Sequence, residues 1–145
     1  MEITTKLRLP LLQPGQAQKE LFHNEALQIL DVIVAAVVEE PPRDEPPATP
    51  VAGSCYIVGG APIGDWSGKA GQLAAFTEAG WRYVAPDDGL SVHVRSTGTI
   101  ANYRGGDWNT GATILDPAGG TQVDAEARAA ISAILAALRD RGLIA

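Results

Sequence analysis

The chain is poor in the residue types that usually carry chemistry, and each shortage closes a class of function. There is one cysteine, Cys55, so no disulfide can form within the chain. Its setting, Cys55-Tyr56-Ile57-Val58, reads as a half-buried strand and predicts a buried structural thiol; a reactive thiolate needs an exposed, cationic surrounding. The two histidines, His23 and His93, lack a second His or Cys at a metal-binding spacing, so neither a zinc site nor any other cofactor is expected. Carboxylates fall mostly in turns and linkers, and no catalytic constellation is expected. Asp87-Asp88-Gly89 after a proline is turn chemistry, not an acid and base pair. Gly59 to Gly64 is glycine-rich, but with no following helix or lysine it cannot cradle a phosphate.

No basic run exists, and 11 Lys and Arg against 17 Asp and Glu give a formal charge of −6, which argues against nucleic acid as a partner. No stretch approaches the ~20 apolar residues of a membrane span. The first residues, Met1 to Thr5, show no basic flank followed by an apolar run, so cytosolic synthesis is expected.

What the chain does have is apolar material, 46% of 145 residues against 19% charged, enough for one folded domain. Sixteen glycines and ten prolines divide it. Residues 1–15, with Pro10, Pro14 and Gly15, read as an extended arm on which Leu7, Leu9 and Leu11 alternate. That arm packs either on its own domain or on a neighbour. Residues 16–40 lack Pro and Gly and repeat Leu27, Leu30, Val34 and Val38 at spacings of three and four, which predicts a long helix. Its second half, Ile29 to Val38, is apolar nearly all round, more than one buried face requires, so an oligomer interface is expected there. A strand over 32–38 competes, because β-branched residues are dense.

Residues 41–52 form a proline-rich acidic connector. Residues 53–118 read as a small antiparallel meander rich in Gly and Trp, with strands near 54–58, 72–78, 81–85, 90–95 and 100–104. Residues 119–145 carry a last helix capped by Thr121 or Asp124, with Ala127, Ile131, Ile134, Leu135 and Leu138 on one stripe. The fold class is therefore α+β. All three tryptophans and all three tyrosines fall in the meander. They serve either as core or, for the loop aromatics Trp66 and Trp108 with Tyr103, as a platform for a glycan or partner.

The block Leu9-Pro10-Leu11-Leu12-Gln13-Pro14-Gly15-Gln16-Ala17-Gln18-Lys19-Glu20, then His23-Asn24-Glu25-Ala26-Leu27 and Leu30-Asp31, resembles the opening of an uncharacterised domain family. That family occurs in phage tail and fibre proteins and in head-spike proteins of gene transfer agents. Gly53, Tyr56-Ile57-Val58, Gly64-Asp65-Trp66-Ser67-Gly68, Gly80-Trp81, Pro86 and Gly89 continue the resemblance. It implies a structural subunit of a phage-like particle assembled in the bacterial cytoplasm, a head-spike base or adaptor that contacts a capsid vertex and holds a fibre. A pentamer would suit the vertex and a trimer the fibre, with cell-surface polysaccharide as a further partner. The family supplies no catalytic residues.

Overall fold

The computed structural model describes residues 2–13, 15, 19–34, 36–121 and 123–145. Their elements are α1 (Lys19–Val34), β1 (Val37–Val38), β2 (Cys55–Ile57), β3 (Leu73–Thr77), β4 (Gly80–Val84), β5 (Ser91–Val94), β6 (Thr99–Arg104), β7 (Asp107–Thr110) and α2 (Ala125–Asp140). The class is α+β, but strands dominate. In place of one small meander there are two sheets, ordered β2-β3-β4 and β1-β5-β6-β7.

The sheets exist because alternate strand residues face each other across a shared core. Cys55, Ile57, Leu73 and Ala75 of the first sheet meet Val38, Val92, Val94 and Ala101 of the second, and Val32 of α1 joins them. The three-stranded sheet is buried on its other face too. There Tyr56, Ala74, Val58 and Trp66 pack together, with Trp81 and Tyr83 at the margin. Burial on both faces explains why β2 and β3 read as continuous apolar runs where β5, solvated on one side, alternates. His93 accordingly points outward, between the buried Val92 and Val94.

Three boundaries differ from the sequence reading. The first helix stops at Val34, and Val37–Val38 form a short strand parallel to β5, pairing Val37 with His93 and Val38 with Val94. Helix propensity loses there to β-branched residues that gain a ladder and a core position. Strand β7, antiparallel to β6, was not anticipated. The arm is not extended throughout: Thr5 to Leu7 turn, Arg8 takes a positive φ of 55°, and the chain doubles back so that Ile3 bridges Pro10. The turn separates Leu7, exposed at the tip, from the half-buried Leu9 and Leu11 on the returning segment.

The hairpin is fastened by Asp31, 3% exposed near the end of α1. Its carboxylate accepts from the Thr4 hydroxyl (2.7 Å) and from the backbone N–H of Lys6 (2.9 Å) and Leu7 (2.6 Å). Two turns earlier, the Asn24 side chain accepts from Leu12 N–H (2.9 Å) and donates to Leu12 C=O (3.0 Å), filling the place of a strand neighbour. Helix α2 is capped at Asp124, which accepts from Ala127 N–H. It ends at Gly142, φ 66°, where Leu143 N–H bonds Leu138 C=O and Gly142 N–H bonds Arg139 C=O. The tail then runs along the sheet end. Ile100 N–H donates to Gly142 C=O, and a side chain at Gly111 would collide with the Leu143 carbonyl.

Replacing Asp31 with Ala would leave a buried hydroxyl and two backbone N–H groups without their acceptor. The expected cost is about 2–4 kcal/mol, read as a lower urea midpoint. A loss under about 0.5 kcal/mol would show that the clamp is not structural.

Candidate interaction surface

Helix α1 meets its own chain along two sides. On one, Asn24 and Asp31 hold the arm; on the other, Val32 enters the core and Glu25 pairs with Arg82 of β4 at 3.3 Å. Geometry leaves the third side free, because residues four apart lie one above another on a helix. That side carries Phe22, Ala26, Leu30 and Val34 at successive steps of four. Phe22 is 83%, Leu30 45% and Val34 69% exposed. Such a row of large apolar side chains in water is the candidate interaction surface.

The structure thus brings together two of the four helical residues expected at the interface, Leu30 and Val34. Leu27 is half-buried at the edge of the stripe. Val38 leaves the set, because in β1 it is fully buried in the core of its own chain. Phe22 and Ala26 were missed, although their spacing to Leu30 and Val34 was there to be read.

The aromatic platform also changes. Trp66 is fully buried, not a surface loop residue. A 3-10 turn at Gly64–Trp66, opened by Gly64 at φ 60°, folds the loop back so that the indole lies 5.2 Å from Trp81 and 5.7 Å from Tyr56. The Tyr83 hydroxyl ties this loop down by donating to Asp65 C=O at 2.6 Å. Among the described residues Trp66 Nε1 has no acceptor, so aromatic edge-to-face packing and apolar burial must outweigh that lost bond. Trp108 and Tyr103 are half-buried, pack edge to face at 5.3 Å, and spend the Trp108 indole N–H on Gly71 C=O at 2.8 Å. Only this pair of the three aromatic candidates reaches the surface.

His23 and His93 are both exposed, on α1 and β5. Among the described residues no group of three His, Cys, Asp or Glu is arranged to hold a metal ion, and no helix is long and apolar enough to cross a membrane. Cys55 is 1% exposed, and burial is the main force pushing its thiol up to about 11, with Lys6 and a backbone hydrogen bond opposing.

These features define a class: a two-sheet α+β domain with an apolar helical face left open to solvent. Residues 23–109 match the family described as Protein of unknown function (DUF2793), and the chain belongs to that family. No curated protein matches it.

Two outcomes follow from the buried groups. Trp66→Ala should cost about 3–5 kcal/mol, measured by thermal or urea unfolding; a change confined to ligand binding would contradict its core position. For Cys55, the folded thiol titrates above its ordinary value of 9.0, so the stability linked to it is complete below pH 9. It is lost as pH rises toward 11, by roughly 3 kcal/mol. Comparing the melting temperature of the wild type with that of Cys55→Ala over this range isolates the effect, and parallel curves would rule it out.

Proposed function

We propose that this chain is a non-enzymatic assembly subunit that associates with copies of itself through the free face of α1. The observation that carries the reading is the exposed ridge of Phe22, Leu30 and Val34 on a helix whose other two sides are already occupied. Burying each of these side chains is worth about 1.5–3 kcal/mol, and self-association is the simplest way to gain it. The aromatic residues support the same reading by their position: Trp66 stabilises the chain's own fold, which leaves the glycan alternative resting on Trp108 and Tyr103 alone.

The resemblance to phage tail, fibre and gene transfer agent head-spike proteins supplies the context. In this reading the subunit forms the base of a head spike on a phage-like particle, assembled in the bacterial cytoplasm. A ring built through α1, a pentamer at a capsid vertex or a trimer beneath a fibre, presents the sheets to the next component. Its role is passive, holding a fibre in register with the capsid.

Leu30→Asp with Val34→Asp should convert the assembly to smaller species with the circular dichroism spectrum preserved, because both residues are exposed in the single chain. Phe22→Asp should weaken it as well. Native mass spectrometry and sedimentation check this; an unchanged mass for the double variant would discard the α1 interface.

A further inference from the structure

Helix α2 presents a second apolar stripe, separate from α1. Its own chain is met by one side only. Leu135 is 6% exposed, while Arg128 donates to the carbonyls of Pro117 and Gly119, and Arg139 donates to Ile114 C=O and pairs with Asp116. Beside that side, with Leu135 at its buried edge, run Ala127, Ile131, Ile134 and Leu138, spaced four, three and four, the seam of a two-helix contact. Ile131 is 45% and Ile134 59% exposed, Ala127 is exposed and Leu138 half-exposed. Ala130 and Ala137 flank the seam, and such small residues let a neighbouring helix approach toward the short end of the 8–10 Å range.

We propose that α2 pairs antiparallel with α2 of a second copy about a two-fold axis that passes between Ser132 and Ala133. The argument is self-complementarity, the property an isologous contact demands. Reversing the helix about that point sets Ile131 against Ile134 and Ala127 against Leu138, so each large residue meets a partner that leaves it room. Charge agrees with the same register. Arg141, just past the helix end, comes opposite Asp124 and Glu126 in the partner's first turn, and this happens at both ends of the pair. Glu126 and Arg141 are exposed and have no ion pair within the described residues of their own chain. The antiparallel arrangement also opposes the two helix macrodipoles. Parallel pairing would place Arg141 beside Arg141 and Glu126 beside Glu126, which like charges disfavour. The occupant is therefore another copy of this chain, and the contact supplies a two-fold in addition to any ring built through α1.

The register can be read by disulfide trapping in the full chain, since Cys55 is buried and does not compete. Under mild oxidation, an equimolar mixture of Ile131→Cys and Ile134→Cys chains should cross-link several-fold more than either variant alone. Preferential cross-linking of each variant to itself would overturn the antiparallel pairing. The contact is tested apart from α1 in the Leu30→Asp, Val34→Asp background. There a dimer should persist and should become monomer on adding Ile131→Asp and Ile134→Asp, with helix content unchanged by circular dichroism. A monomer in that background before α2 is altered, or a dimer that survives the α2 changes, would overturn the proposal while leaving the α1 result to stand by itself.

Discussion

The orientation of α1 depends on one buried carboxylate. Asp31 sits in a run that is otherwise apolar, Ile29-Leu30-Asp31-Val32-Ile33, and a charge there is tolerable only because three donors from the arm hairpin converge on it. Those bonds fix more than the arm. Asp31 facing the hairpin and Val32 facing the core settle the rotation of the helix, and the stripe of Phe22, Ala26, Leu30 and Val34 is what remains. A helix of 16 residues is marginal in water by itself, so its survival beside the sandwich rests on these contacts and on Glu25 pairing with Arg82.

The sandwich gives that arrangement a rigid base. Its three-stranded sheet packs one face on the other sheet and the other face on a loop that carries Trp66 inward. Because Trp66, Tyr56 and Trp81 make a second small core outside the sheet, the loop at 59–69 behaves as a lid of the fold. Asp44 helps to hold its start: its backbone carbonyl accepts from Ile63 and its side chain from Ala61. The proline-rich stretch is thereby anchored at one end, and Arg43 bridges Val58.

Local signals in the sequence located most elements. The sequence offered Thr121 or Asp124 as the cap of α2; Asp124 is the one used, and the apolar stripe placed the helix itself, since a helix is decided by neighbours close in sequence. Five of the seven strands lay where glycine and aspartate turns framed β-branched or aromatic residues. What was not legible depends on distant partners. A strand at Val37 and Val38 was offered as an alternative by the β-branched run, but the choice between helix and strand was made by β5 lying alongside, and Trp66 is buried only because its loop folds over β2 to β4. The exposed ridge of α1 was half legible. The excess of apolar residues pointed to Leu30 and Val34, but the burial of Val38 and the freedom of Phe22 follow from how Asp31 turns the helix, which hydrophobic spacing does not encode.

The energetics of the two helical faces bear on what kind of assembly they could build. Phe22, Leu30 and Val34 together still expose about two side chains' worth of surface per copy, so burying them in two copies offers on the order of 6–12 kcal/mol, against about 4–15 kcal/mol lost in restricting two bodies to one. A single contact of that kind is marginal. Closure changes the balance, because the last contact in a ring forms within one body and gains its burial without a further loss of translational freedom. The α2 pairing adds a two-fold that no ring supplies by itself. A subunit with two modest faces on different helices would therefore stay dispersed while dilute and assemble cooperatively once concentrated.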